Sequence, residues 1–374
     1  MREIHEIDSL ASYLERGNDL RDCVIQGLNL GEIRADWEKT RVTGAVFLGC
    51  TYPSISFQER LREGGALVFP RLPRLPYKPY RPSLYTREEL MDGWTAEEDL
   101  SRDKRIYDHF VENGRHHTNV LEALSQRLHD HAVDDALGDL LEGRLHDGEP
   151  KKVVAIMGGH GTPRTDPYFR KVVEVARGLT RAGFFIASGG GPGMMEAANL
   201  GAWIANADDD FLDKALEIMS PYPTYADAGY VASATQVVEL HPDGAASVAV
   251  PTWFYGHEPS NLFSSYIAKY FSNSLREDGL LAIAKHGIVF SPGSAGTTQE
   301  VFQDATQNHY ATFDHVSPMV FLGESHYQEK TGIYPTLKGL AKGRAYETML
   351  SISDSPEDIV DFVIAHPPFI PESA

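Results

Sequence analysis

The sequence predicts an α/β fold, a Rossmann-like doubly wound parallel sheet with an N-terminal extension domain. From about Lys151 onward, short apolar runs alternate with stretches of helical periodicity. The runs show no alternation of apolar and polar residues, which is typical of parallel strands covered by helices on both faces. Three of the runs are followed by segments rich in glycine, as expected for loops at the carboxyl edge of such a sheet.

The periodicity predicts individual elements in this part of the chain. Five apolar runs are predicted strands, at residues 153–157, 184–187, 247–250, 287–290 and 319–322. Four intervening stretches are predicted helices, at residues 167–182, 193–205, 261–285 and 297–309. Strands joined by helices in this way predict a parallel sheet.

The length of 374 residues favours two domains. A polar block with glycine and proline at residues 146–152 indicates the boundary. We therefore predict an extension at 1–150 and a nucleotide-binding catalytic domain at 151–374. Residues 86–145 have helical periodicity.

Two repeats stand out in the extension. Small or apolar residues recur every fifth position from Leu20 to Cys50, which indicates either a pentapeptide-type square β-helix or a pair of irregular strands ending at residues 44–49. Prolines recur every third position from Pro70 to Pro82. That period is typical of a polyproline II segment, which serves either as a stiff connector or as a docking peptide.

The composition limits the kinds of ligand and partner that are expected. No run approaches the roughly 18 apolar residues that a membrane span requires, and the first residues lack the apolar core of a secretory signal. With Cys23 and Cys50 as the two cysteines, a reducing cytoplasm is the expected location. The net charge of −19 disfavours nucleic acids and anionic membranes, so a small-molecule ligand is expected.

Three glycine-rich loops are candidate anion sites, at residues 158–164, 188–193 and 291–297. Small side chains let backbone N–H groups approach an anion, and the positive end of the following helix adds to the attraction, so phosphate is the expected anion. The motifs of a dinucleotide-binding dehydrogenase and of a P-loop nucleoside triphosphatase are both missing from these loops. The candidate ligand-binding residues are Gly159, His160, Ser188, Gly189, Gly190, Gly191, Gly193, Met194, Gly293, Ser294, Ala295, Gly296 and Thr297.

Two of these segments resemble the paired motifs of a known family. SGGGPGMMEAAN at 188–199 and PGSAGTTQE at 292–300 are similar to GGGxxGxM and PGGxGTxxE of the LOG family. Those proteins are nucleoside 5′-monophosphate phosphoribohydrolases. The resemblance covers residues 153–350, and the added N-terminal region makes the chain more similar to the larger bacterial pyrimidine/purine nucleotide 5′-monophosphate nucleosidases.

The resemblance implies hydrolysis of the N-glycosidic bond of a nucleoside monophosphate, without a cofactor, in a homo-oligomer. Such a bond breaks through an oxocarbenium-like ribose, which calls for carboxylates. The resemblance assigns catalysis to Glu300, Arg276 and Glu196. From the residues alone, Glu300 could instead close a capping box with Thr297, and Glu196 could be an acid favoured by a helix dipole.

The sequence departs from the family motifs at two positions. Ser294 replaces the second glycine of PGG, which would fail if that position needs a positive φ. Glu277 follows Arg276, where many family members have lysine.

Other classes of function remain open. The main rival is a non-catalytic nucleotide- or cofactor-binding carrier of the same fold. A pyridoxal-phosphate enzyme is disfavoured because the loops contain no lysine. His116 and His117 lack ligand partners at metal spacing, so no metal is expected. The polar loop at 256–261 could close over the base, whose identity the sequence does not reveal.

Overall fold

The computed structural model describes residues 2–17, 19–72, 74–115, 118–144 and 148–371. The chain divides into two compact units. The first comprises Met1–Leu84 and His116–Ala136, and the second comprises Tyr85–Arg115 and Leu137–Ala374. The segment Tyr85–Arg115 therefore groups with the glycine-rich loops, although the predicted boundary at residue 150 separates it from them.

The first unit is built on a four-stranded parallel sheet in the order β1-β2-β3-β4. Its strands and helices are β1 (Arg2–Ile4), α1 (Ile7–Arg16), β2 (Cys23–Gln26), β3 (Val46–Leu48), α2 (Ile55–Glu63) and β4 (Leu67–Phe69). The register pairs Arg2 with Cys23, Val24 with Val46 and Val46 with Leu67, so the chain returns to the sheet every 21 or 22 residues.

This return rules out the square β-helix and agrees with a pair of strands, β2 and β3, of which the second falls within residues 44–49. The spaced positions are indeed mostly buried, among them Leu20, Ile25 and Cys50. Each turn of chain, however, contributes one short parallel strand with a helix or helical turn behind it, instead of a face of a square β-helix. The spacing marks inward-facing positions within a longer repeat.

The proline-rich segment has neither helix nor strand, and Pro73 lies outside the described residues. Tyr77 is buried, and its hydroxyl donates to Glu122 Oε1 at 2.7 Å. Its ring also meets His129 edge to face. Both partners lie on α5 (Val120–Leu141), so this segment packs on its own unit as a connector would.

The second unit contains a seven-stranded, wholly parallel sheet flanked by helices, which confirms the α/β doubly wound prediction. The strands are β5 (Val153–Met157), β6 (Phe185–Ser188), β7 (Val248–Ala249), β8 (Tyr266–Ile267), β9 (Ile288–Phe290), β10 (Met319–Leu322) and β11 (Leu350–Ser353). The helices are α3 (Arg87–Met91), α4 (Arg102–Glu112), α6 (Pro167–Arg181), α7 (Met194–Trp203), α8 (Asp210–Met219), α9 (Tyr230–Leu240), α10 (Asn273–Ile283), α11 (Ala295–Tyr310), α12 (Ile333–Ala341) and α13 (Pro356–Ala365).

One predicted helix is wrong. Residues 261–285 form a loop, the edge strand β8 and then α10. Phe263, Ile267 and Phe271 are buried at near-helical intervals, and a two-residue strand leaves that spacing undisturbed. The apolar pattern therefore could not separate the strand from the helix.

The strand order, β11-β10-β9-β5-β6-β7-β8, has a topological switch point. The chain runs outward from β5 through β6 and β7 to β8, then returns to place β9 on the other side of β5. Loops that leave neighbouring strands on opposite sides of such a point diverge and open a crevice at the carboxyl edge. The crevice between β5 and β9 is therefore where this fold favours a ligand.

Close packing of α6 against α7 supports the loop that precedes α7. Asp166 caps α6 by accepting from the Tyr168 N–H, and Pro167 occupies the first turn. Gly201 brings the two helices together, since a Cβ there would lie 2.2 Å from the Val173 carbonyl oxygen.

We expect Gly201→Ala to destabilise the protein by roughly 1–3 kcal/mol, because the added methyl meets backbone that must shift. Urea unfolding measures the change. The matched control is Gly339→Ala in α12, where the new Cβ has no neighbour within 4 Å. That variant should be neutral or more stable, since alanine favours helix. Equal effects at both positions would contradict the packing argument.

Candidate functional site

A cavity of about 600 Å³ opens at the carboxyl edge of the second sheet. Its lining comes from the loops after β5, β6, β7, β8 and β9, from the segment between α8 and α9, and from α10 and the first turns of α7 and α11. The lining residues are Gly158, Gly159, His160, Gly189, Gly190, Gly191, Met195, Tyr225, Pro251, Thr252, Tyr255, Gly256, His257, Glu258, Pro259, Lys269, Arg276, Glu277, Ser294, Gly296, Thr297 and Glu300.

Backbone contacts lock the loops beside the cavity together. The Gly159 N–H donates to the Pro292 carbonyl at 3.1 Å, and the Met194 N–H donates to the Gly159 carbonyl at 3.1 Å. Side chains would prevent this approach. A Cβ at Gly158 would lie 2.0 Å from Ser291 Oγ, and one at Gly193, where φ is +68°, would lie 2.5 Å from the Gly159 oxygen.

The loop after β6 is held from within. Ser188 is fully buried, and its Oγ donates to Asn199 Oδ1 at 2.6 Å and accepts from the Gly190 N–H at 3.0 Å. Of the candidate ligand-binding residues in this loop, Gly189, Gly190 and Gly191 line the cavity, whereas Ser188, Gly193 and Met194 do not.

The N-terminus of α11 faces the cavity without a side-chain cap. The helix begins at Ala295, two residues earlier than predicted, so Thr297 is inside its first turn and forms no capping box with Glu300. Ser294 has φ −117°, so this position does not need a positive φ and is compatible with serine. Ser294, Gly296 and Thr297 line the cavity, and Gly293 and Ala295 are adjacent to it without being part of the lining.

Arg276, Glu277 and Glu300 form a charged cluster on the cavity wall. Arg276 Nη1 lies 3.9 Å from Glu300 Oε1, and Nη2 donates to Asn273 Oδ1 at 3.0 Å and lies 3.4 Å from Glu277 Oε1. Arg276 Nε is buried and has no hydrogen-bond partner among the described residues. Nη1 also forms no hydrogen bond with the described residues, so the guanidinium retains donors for a ligand.

The pKa of the Glu300 carboxyl is raised to about 7, because burial, together with the smaller effect of the Glu277 charge, outweighs the lowering effect of Arg276. At neutral pH, both protonation states of Glu300 are populated. A group that holds and releases a proton near pH 7 is suited to general acid–base chemistry.

Glu196 is placed differently from the sequence-based assignment. It does not line the cavity, and both of its oxygens accept from Arg164, at 2.8 Å from Nε and 2.5 Å from Nη2. Arg164 also donates to Ser233 Oγ at 2.9 Å, and its guanidinium lies 3.5 Å from the ring centre of Tyr230. Glu196 thus completes a buried ion pair between the loop after β5 and the start of α7. The pairing was not detectable in sequence, since the partners are 32 residues apart.

Asp103 on α4 anchors the loop after β7, a role that sequence patterns did not indicate. Its carboxylate accepts from Trp253 Nε1 at 2.6 Å, Ser260 Oγ at 2.7 Å and Lys269 Nζ at 2.8 Å. Between those residues, His257 Nε2 lies 2.8 Å from Asp99 Oδ2. These contacts fix the wall that carries Tyr255, His257 and Lys269.

Two exposed tyrosines, Tyr225 and Tyr255, line the cavity with 42% and 68% of their surface accessible. Exposed aromatic faces in a cavity provide area for stacking against a planar ring. The cavity thus combines an uncapped helix N-terminus, a proton-exchanging carboxyl, a cation and aromatic surface.

The residues that the structure describes contain no group of three or more His, Cys, Asp and Glu side chains placed to hold a metal ion. His116 and His117, for which no metal role was expected, lie outside the described residues. Within the described part of the chain, no helix has both the length and the apolarity needed to cross a membrane.

No protein-family model matches the sequence, and a search of curated proteins found no relative. Solved structures with a similar fold include a molybdenum cofactor binding protein from Rippkaea orientalis, with 14% identity, coverage of 57% of this chain and 96% of that one, and a TM-score of 0.36. The molybdenum cofactor carrier protein of Chlamydomonas reinhardtii has 16% identity, coverage of 57% and 97%, and a TM-score of 0.36. DNA processing protein A from Streptococcus pneumoniae has 13% identity, coverage of 60% and 62%, and a TM-score of 0.31. Likenesses this distant assign no activity to the chain.

Asp304, one turn beyond Glu300 on α11, is a buried carboxyl whose Oδ2 has no partner among the described residues. Burial raises its pKa from 3.8 to about 8. The stability that comes with the protonated form is fully present below about pH 4 and is lost as pH rises through about 8.

We expect Asp304→Asn to remove this dependence. The free energy of unfolding of the variant minus that of the wild type should increase between about pH 4 and pH 8, by at most about 1.4 kcal/mol per pH unit. Urea unfolding at several pH values within that window measures it. A difference that does not change with pH would show that Asp304 titrates normally.

Proposed function

We propose that the second unit hydrolyses the N-glycosidic bond of a nucleoside 5′-monophosphate, releasing the free base and ribose 5-phosphate. The observation that carries the proposal is the pairing of Glu300 with Arg276 on the wall of the cavity. The motif resemblance at residues 188–199 and 292–300 supplies the substrate class, and the chemistry of the lining supports it.

In this proposal each part of the substrate has a matching part of the wall. The phosphate lies at the α11 N-terminus, where Ser294 to Thr297 offer N–H groups and the helix dipole favours an anion. The unpaired donors of Arg276 bind ribose or phosphate oxygens. Tyr225 and Tyr255 provide surface for the planar base.

Glu300 handles the proton in both halves of the reaction. Its protonated carboxyl donates to the base nitrogen as the C1′–N bond breaks, and the electron pair of that bond leaves with the base. The resulting carboxylate then takes a proton from water as the water oxygen bonds to C1′, which restores the starting form. Arg276 orients the carboxyl, and Glu196 acts at a distance by holding the start of α7 through Arg164.

A carrier that binds nucleotide or cofactor without turnover is the alternative. The same cavity with its anion-binding helix end would serve such a protein, and the cofactor-binding proteins of similar fold make their cofactor a reasonable ligand to test. Turnover separates the two functions.

We expect purified protein incubated with a panel of nucleoside monophosphates to release base and ribose 5-phosphate from at least one. Glu300→Gln and Arg276→Ala should each lower kcat by roughly 10²-fold or more, because each group acts on the transition state. Chromatographic detection of free base measures both. Glu239→Gln, an exposed carboxyl on α9, is the control and should retain full activity.

Binding of a nucleotide or of the molybdenum cofactor with no base released would establish the carrier instead. Full activity of Glu300→Gln would remove Glu300 from the mechanism.

We expect kcat/KM of the wild type to fall above about pH 7, because the form that breaks the glycosidic bond has Glu300 protonated. Initial rates across a range of pH measure this high-pH limb of kcat/KM, and circular dichroism checks that the protein stays folded. A rate that rises through pH 7 would indicate that the ionised carboxylate starts the reaction.

A further inference from the structure

The cavity contains a second carboxylate, Glu277, which the proposed mechanism does not use. We infer that Glu277 and Glu300 form a divided carboxyl pair, in which hydrogen bonds hold Glu277 in place and Glu300, which has none, carries the exchangeable proton. The catalytic meaning of the pair rests on the proposed function, but the pair itself is a property of the ligand-free protein.

Three side chains donate hydrogen bonds to the Glu277 carboxylate. Its Oε2 accepts from Gln299 Nε2 on α11 at 3.0 Å. Its Oε1 accepts from Arg276 Nη2 at 3.4 Å and from the Tyr255 hydroxyl at 3.5 Å. Donors from two helices and a loop converge on one carboxylate and fix its position beside Arg276.

Glu300 has the opposite surroundings. Its carboxylate accepts no hydrogen bond from the described residues, and the 3.9 Å to Arg276 Nη1 is too long for one. Its side chain is about as exposed as that of Glu277, 16% against 15%, so the two carboxyls differ in their hydrogen bonds and not in their burial. The neutral form is therefore the one that these surroundings tolerate.

The remaining polar neighbours of Glu300 leave Glu277 as the main source of negative charge. Tyr327 is close enough for the Glu300 charge to act on it, but its hydroxyl donates to the Ser291 carbonyl at 2.7 Å, and burial raises the pKa of that hydroxyl. Asp304 follows one turn along α11, and burial keeps it largely protonated at neutral pH. Arg276 is the facing cation, and it is shared between both glutamates.

The departure from the motif at residue 277 thereby acquires a physical meaning. A lysine after Arg276 would place a second cation in this cluster and favour ionised Glu300. A glutamate there does the reverse, and it also occupies one side of the Arg276 guanidinium. Glu277 is a positioning residue that holds Arg276 and opposes a second negative charge on Glu300.

The test follows the Glu300 carboxyl directly in the ligand-free protein. Carbon-13 NMR of protein labelled at the glutamate carboxyls, with Glu300→Gln to identify the signal, yields its titration midpoint. Glu277→Gln should move this midpoint down by roughly half a pH unit or more, and Glu277→Lys should move it further. Asp278→Asn, an exposed charge on the same helix, should leave it in place.

Activity gives a second measurement. The high-pH limb of kcat/KM should shift to lower pH in Glu277→Gln by the same amount as the NMR midpoint, and this shift would not follow from a purely structural role. A midpoint that does not move in either Glu277 variant would overturn the pair, whether or not nucleotides are hydrolysed. If the midpoint moves but no nucleotide is cleaved, the pair stands and the proposed hydrolysis fails.

Discussion

Backbone-to-backbone contact among the loops that follow β5, β6 and β9 is the constraint on which the cavity depends. Gly159 bonds to the loop after β9, and its own carbonyl receives the first N–H of α7. Only residues without a Cβ fit at Gly158 and Gly193. The glycines therefore set the spacing of two helix N-termini at the switch point of the sheet. Ligand chemistry depends on that spacing before it depends on any charged side chain.

Charged groups around the cavity fall into two kinds. Arg164 with Glu196, and Lys269 with Asp103, are deeply buried and fully engaged with each other and with neighbouring donors or acceptors. Removing one member of such a pair strands the other, so these groups serve the frame. Glu300 differs from these groups, because its contact with Arg276 Nη1 is long, at 3.9 Å, and its carboxylate accepts no hydrogen bond from the described residues. A carboxyl held this loosely can change its protonation state without disturbing the frame.

Local pattern was sufficient to predict five of the seven strands of the second sheet, because fully apolar runs such as Val153–Met157 specify buried strands. It failed at β8, where a two-residue strand is shorter than any period, and at β11, where Leu350–Ser353 is half-buried and contains two serines. It also located the cavity loops and Glu300, whose signals are contiguous motifs. The roles of Glu196, Asp103 and Glu277 depend instead on partners far along the chain, such as Arg164, so no local pattern could reveal them.

The contacts of Asp103 limit how far this protein can be truncated from its N-terminal side. It precedes the sheet by some fifty residues in sequence, yet it supplies the counter-ion of a lysine that is 3% exposed in the cavity wall. A shortened gene product beginning at Lys151 would retain every glycine motif and lose that counter-ion, together with the acceptor for Trp253 and Ser260. The cavity wall would then have to unfold, or the Lys269 side chain would have to move into solvent. A shortened version of the second unit must therefore keep Asp103 and the segment that carries it, which begins at Tyr85.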